Sequence, residues 1–183
     1  MDLRKLETEG YQIQRRVVEA EGIEFLRKEA ERLSMSRGRA CVRNILRLSP
    51  TFVAIAEQLK RDRDEAWIPV RGLLFDKTPT SNWPVPWHQD LTIAVAEHKE
   101  VEGYRAWSMK DGIPHVQPPV TMLERMVTVR LHLDPTPEEN GALRVIPQSH
   151  RQGRLSSGEI QECVTTGEPI VCACDPGDVL WMK

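Results

Sequence analysis

The chain has 183 residues, 27 acidic against 25 basic side chains for a formal net charge of −2, and 40% hydrophobic residues. That length supports one domain with a substantial buried core, and balanced charge without a basic, aromatic-interleaved stripe argues against nucleic acid as a partner. The polar, charged start from Met1 to Gln12 has no signal-peptide core, and no run of about 18 apolar residues could span a bilayer, so the expectation is a soluble, cytoplasmic protein with no membrane partner.

Residues 1–66 read as helical. Ile23, Leu26, Ala30 and Leu33 fall on one helical face, and Phe52, Ile55, Ala56 and Leu59 repeat that spacing after Ser49-Pro50, a cap followed by proline at the first helical position. From Trp67 the pattern changes to short β-branched and aromatic runs: Ile68–Phe75, Leu91–Ala96, Met126–Leu133, Ala142–Ile146, Ile170–Cys174 and Asp178–Met182 are the expected strands. In the third of these, Val127, Val129, Leu131 and Leu133 alternate with Thr128, Arg130 and His132, the period of a strand whose faces differ. Glu139-Asn140-Gly141 and Pro176-Gly177 supply turns. Between the second and third strands, residues 97–125 carry Trp107, Gly112, Pro114, Pro118 and Pro119 and are expected to form an ordered lid or substrate-facing insert.

Helices followed by many short strands, without a βαβ rhythm, predict an antiparallel sandwich or barrel, here as a single domain over 1–183. Of the four cysteines, Cys41, Cys163, Cys172 and Cys174, none forms a CxxC pair, so neither a disulfide framework nor a zinc knuckle is expected. Cys172 and Cys174 are instead expected as small buried apolar residues on one strand face.

The chemistry-bearing stretch is Trp83-Pro84-Val85-Pro86-Trp87-His88-Gln89-Asp90. His88 and Asp90, two apart on an extended segment, present imidazole and carboxylate on one side, where both can reach a single metal ion. With a second histidine they would make the facial triad of non-haem Fe(II), which leaves positions open for an oxo acid and dioxygen. The tripeptide alone is weak: a surface histidine beside a turn gives the same pattern.

Its context is more specific. Phe75-Asp76-Lys77-Thr78-Pro79, then Asn82 through Leu91, then Asn140-Gly141-Ala142-Leu143-Arg144-Val145-Ile146-Pro147-Gln148-Ser149-His150, and finally Pro176-Gly177-Asp178-Val179-Leu180 together resemble the ordered signatures of the phytanoyl-CoA dioxygenase family. The resemblance implies a mainly β fold with N-terminal helices, a double-stranded β-helix of the cupin-like jelly-roll type. It implies hydroxylation of an unactivated C–H bond of a small-molecule substrate, coupled to decarboxylation of 2-oxoglutarate, with Fe(II) and 2-oxoglutarate as cofactor and cosubstrate. Carried over by position, His88 and Asp90 match the first two iron ligands, Gln89 the residue between them, and Arg130 with Thr128 the cosubstrate pocket.

Departures from the pattern are equally informative. In the family the second iron-binding histidine and the arginine that pairs with 2-oxoglutarate follow a stretch like Asp178–Met182, and the chain stops at Lys183. The expectation is therefore a jelly roll whose last strands are missing, with impaired turnover and an unfinished sheet edge open to self-association. His98, His115, His132 and His150 are read as structural or substrate-facing rather than as a third ligand. A non-catalytic jelly-roll interaction module with a remnant metal site stays open, as does another metal such as zinc recruiting His115 or His150.

Overall fold

The computed structural model describes residues 2–38, 40–61, 67–78, 80–81 and 83–183, the side chain of Leu3 excepted. Residues 62–66, at the end of the stretch expected to be helical, and Pro79 and Asn82 of the motif blocks lie outside it. In chain order the elements are α1 (Leu3–Glu9), β1 (Tyr11–Gln14), α2 (Ala20–Arg37), β2 (Cys41–Arg43), α3 (Ile45–Leu48), α4 (Pro50–Arg61), β3 (Leu73–Phe75), β4 (Ile93–Ala94), β5 (Arg105–Lys110), β6 (Ile113–Gln117), α5 (Val120–Leu123), β7 (Thr128–Leu131), β8 (Leu143–Val145), α6 (Ser157–Thr166), β9 (Ile170–Cys172) and β10 (Val179–Met182). Every strand pairing is antiparallel. No helix among the described residues is long and apolar enough to cross a membrane.

The contacts divide the chain into two compact units, one of residues 1–24, 86–90 and 119–183, the other of 25–85 and 91–118. In the second unit α2 buries Leu26, Ala30 and Leu33, the stripe expected from its spacing. Ser49 lies at the start of α4, where its carbonyl accepts from Val53 N (3.2 Å), but its hydroxyl donates to the Glu29 carboxylate instead of capping the helix. Glu29 also takes both guanidinium nitrogens of Arg32 at 2.7 and 2.8 Å. These contacts, the Arg32 hydrogen bond first, hold its carboxyl down at about 2.

Residues 97–125, the stretch expected as an ordered lid or substrate-facing insert, are ordered as a hairpin followed by α5. They carry β5 and β6, joined by Asp111 and Gly112 at φ 49° and 75°, and β6 is the middle strand of a sheet ordered β4-β6-β5. Positive φ at both central residues is type I′ geometry, which Asp-Gly supplies at low cost and which matches the twist of the flanking strands. Ile113, His115 and Val116 are consequently buried. The expected strand Ile68–Phe75 is shorter, only Leu73–Phe75, and pairs with β2, a strand inside the region read as helical.

In the first unit β10 is the centre of a sheet ordered β1-β10-β7, and Val179, Leu180 and Trp181 are essentially inaccessible. One face of that sheet brings Tyr11, Ile13, Leu180 and Met182 together with Leu143 and Val145 of the β8–β9 pair around Cys172 and Cys174, which are free and buried as expected. β1 was not anticipated. Its start follows from Gly10, whose φ of 80° ends α1 and whose amide donates to Leu6 O at 2.9 Å.

The Pro176-Gly177-Asp178 turn sets β10 in place. Gly177 has φ 90°, and a Cβ there would stand 2.2 Å from Val18 O; its own carbonyl accepts from Val17 N (2.8 Å) and Val18 N (3.2 Å). Only glycine satisfies both conditions. Asp178, 1% exposed, accepts from Arg15 Nη1 (2.5 Å), Arg16 N (2.9 Å) and Asp175 N (2.9 Å). Burial by itself would raise its pKa, but these three hydrogen bonds outweigh that and hold the carboxyl below its ordinary value.

Candidate functional site

Prolines at 84 and 86 keep the approach to His88 out of helix, and the 86–90 stretch runs without regular hydrogen bonding. Side chains therefore alternate: His88 and Asp90 project outward, 51% and 55% exposed, while Gln89 turns inward. His88 Nε2 lies 4.0 Å from Asp90 Oδ1. His88 Nδ1 donates to Pro86 O at 2.7 Å, which fixes the tautomer and leaves the Nε2 lone pair facing the carboxylate. That is the donor state a metal ligand needs. Two bonds of about 2.1 Å at a right angle would set the donors about 3 Å apart, so rotation about the side-chain torsions closes the pair on a metal.

Gln89 is committed elsewhere. Its Nε2 donates to Gly153 O (2.7 Å) and its Oε1 accepts from Leu155 N (2.8 Å), so both ends of the amide are tied to the backbone that leads into α6. α6 itself is fixed by a capping box between Ser156 and Glu159. The residue between the two donors thus anchors the segment on a rigid helix entry.

Thr128 and Arg130 share one face of β7. Arg130 is opposite Leu180 and Thr128 opposite Met182, so the arginine stands on the face that carries the Cys172–Cys174–Leu180 cluster. Burial draws its pKa down, with Cys174 opposing. Thr128 is exposed.

His132 continues the same face and is 4% exposed. The Thr136 hydroxyl donates to Cys174 O (3.3 Å) and so accepts from His132 Nδ1–H (2.9 Å). His132 Nε2 is a buried lone pair with no partner among the described residues. Burial first, then the charges of Arg130 and Arg15 against the opposing Asp178, depress its pKa to about 4, so the ring is neutral at pH 7. In sequence this residue was one more polar position on an alternating strand; its burial is a tertiary property.

The remaining histidines, read as structural or substrate-facing, each engage a backbone carbonyl or a ring. His115 is buried in the β4-β6-β5 sheet with Nδ1 donating to Ile113 O (3.0 Å), His98 stacks on Trp107 at a centroid distance of 4.1 Å, and His150 bonds Glu7 O through Nε2 (3.1 Å). Gln148 takes up the positive φ, 64°, of the turn before His150. Among the described residues no group of three or more His, Cys, Asp or Glu could hold a metal ion, so recruitment of His115 or His150 to a zinc site finds no support. Upstream, Lys77 Nζ donates to Trp83 O (2.7 Å) and lies 4.6 Å over the Trp83 ring, which gives those motif residues a role in shaping the loop.

No curated protein sequence matches the chain. Among solved structures, HygX from Streptomyces hygroscopicus with nickel and 2-oxoglutarate bound aligns at TM-score 0.58 and 15% identity over 98% of this chain and 75% of its own. The iron-bound form of HygX aligns at 0.55 and 17% over 98% and 74%, and the form with nickel, 2-oxoglutarate and hygromycin B at 0.55 and 18% over 98% and 76%. At such identities the likeness establishes the fold, a mainly β, antiparallel double-stranded β-helix of the jelly-roll type with N-terminal helices. The profile of the phytanoyl-CoA dioxygenase (PhyH) family matches residues 6–183, and the chain belongs to that family.

Proposed function

We propose that this chain serves an Fe(II)- and 2-oxoglutarate-dependent oxygenase that hydroxylates a small organic molecule, with His88 and Asp90 as the protein's iron ligands. The single observation that carries the reading is the locked tautomer of His88, whose Nε2 faces Asp90 at 4.0 Å from a segment clamped by Gln89. When bound, the iron would supply activation of dioxygen, one oxygen atom going to the substrate C–H bond and the other to the succinate that 2-oxoglutarate becomes as it loses carbon dioxide. The chain's own part is to hold and orient. Gln89 keeps the two donors in register, and Arg130, a guanidinium drawn out of water, is suited to pair with a carboxylate, with Thr128 beside it on the strand. His132 Nε2 offers a neutral acceptor on that face. Family membership and the metal- and 2-oxoglutarate-bound HygX structures support the assignment of cofactors. We place the protein in the cytoplasm as a soluble enzyme.

Two protein donors among the described residues are fewer than a facial triad, so Fe(II) is expected to be held weakly by these residues and more tightly once 2-oxoglutarate adds its own donor atoms. Anaerobic titration with Fe(II), with and without 2-oxoglutarate, tests this through the visible charge-transfer band of an iron-bound oxo acid. A band that requires the cosubstrate and disappears in His88→Ala and Asp90→Ala is the expected outcome. Absence of the band in the unaltered chain, or its persistence in both variants, would refute the assignment of ligands. The same count of donors favours a second reading, a non-catalytic jelly-roll module. Succinate formed by the unaltered chain and not by His88→Ala would exclude it.

A further inference from the structure

The second unit contains an open groove of about 670 Å³ whose lining includes Arg37, Arg43, Asn44, Arg47 and Asp111. Its volume falls within the roughly 300–1,000 Å³ of small-molecule sites. The three arginines come from three successive elements: Arg37 from the last turn of α2, Arg43 from β2 and Arg47 from α3. The chain as a whole carries a net charge of −2, so three arginines against one aspartate in the lining are a local concentration of positive charge. Arg43 Nε and Asp111 Oδ2 are 4.0 Å apart, beyond hydrogen-bond reach. The side chains of Arg37 and Arg47 make no hydrogen bond or ion pair among the described residues.

Of these three arginines Arg43 also acts on His115 of β6, whose pKa is lowered by burial first and then by the charges of Lys110, Arg71 and Arg43. Among the described residues the lining holds no aromatic side chain on which a base or ring could stack. What it offers is the planar fork of arginine, which matches the oxygens of phosphate and engages them in pairs.

We propose that this groove binds a phosphate-bearing small molecule through Arg37, Arg43 and Arg47, with Asp111 releasing Arg43 to the ligand. The groove shares no lining residue with the His88–Asp90 pair and would give the protein a phosphorylated substrate or effector. The bland account of two of these residues is that Arg37 and Arg47 complement the C-terminal dipoles of their helices, which predicts no ligand.

Calorimetric titration of the full chain with inorganic pyrophosphate at low salt separates the two. One saturable equivalent is expected, weakening with added salt and weakening about tenfold for each of Arg37→Gln, Arg43→Gln and Arg47→Gln. Asp111→Asn should tighten binding, since it removes the competing carboxylate while Asn-Gly retains the type I′ turn. His88→Ala should leave binding unchanged, which keeps the result separate from the oxygenase assignment. A parallel titration with adenosine diphosphate identifies the source: equal affinity means that phosphate alone is read, tighter affinity that the nucleoside adds contacts. No saturable heat with either probe overturns the proposal. So does unchanged affinity in a Arg37→Gln/Arg47→Gln variant with the circular dichroism and melting temperature of the unaltered chain.

Discussion

Gln89 clamps the segment that carries the two proposed metal donors. Its amide meets Gly153 O and Leu155 N at 2.7 and 2.8 Å, so the peptide between His88 and Asp90 cannot rotate without breaking both bonds. Residues that orient metal ligands typically change affinity by about 10- to 100-fold. Gln89→Ala should therefore lower Fe(II) affinity by about tenfold, read by competition with a fluorescent chelator, with a fall in melting temperature of a few degrees. Gln89→Glu keeps the acceptor for Leu155 N but sets a carboxylate oxygen against Gly153 O, and should reproduce most of the loss. If both variants bind iron as the unaltered chain does, the clamp serves only the loop.

At the scale of elements, β10 decides the first unit. It pairs on both sides, with β1 and β7, and carries Val179, Leu180 and Trp181 into full burial. Leu180 lies in the cluster with Cys172 and Cys174, and Leu180→Ala should cost about 2–5 kcal/mol by urea denaturation. Asp178 holds the strand's entry. Asp178→Ala leaves the amides of Arg16 and Asp175 without their acceptor and should cost about 2–4 kcal/mol in the same assay. A loss below 1 kcal/mol at either position would mean that the sheet draws its stability from elsewhere.

For the whole molecule, acid should act in two stages. The pKa of His132, near 4 in the fold, lies below its ordinary 6.5, so the neutral ring contributes stability that is complete above pH 6.5 and is lost as pH falls toward 4. The difference amounts to about 3 kcal/mol. Glu29 and Asp178, both held below their ordinary values, contribute stability that is present above pH 4.5 and 3.8 respectively and is lost as pH falls further, for Glu29 down to about 2. Denaturation between pH 8 and 3 should thus show a first decline that His132→Gln reduces, the remainder belonging to His115, whose pKa burial also lowers, and a later one that it leaves intact. A His132→Gln variant with an unchanged first decline would show that the ring does not carry it.

Residue order alone was enough to name the family, to mark the buried stripe of α2 and to place six strands, because each rests on local spacing or on a motif; the same motif makes His88 and Asp90 the candidates for iron ligands that the titration would test. Boundaries were overdrawn, since a strand ends where its partner's hydrogen bonds end: Ile68–Phe75 shrank to Leu73–Phe75 against the three residues of β2. β1 and β2 were missed for the same reason, being short segments made strands by distant partners. The Asp111-Gly112 turn was a local signal for a hairpin that the surrounding prolines obscured. Which way Gln89 faces, that His132 is buried and neutral, and that three arginines spread over residues 37–47 line one groove were decided by tertiary packing alone. Burial and proximity depend on contacts between residues far apart in the chain, and spacing along the sequence carries no record of them.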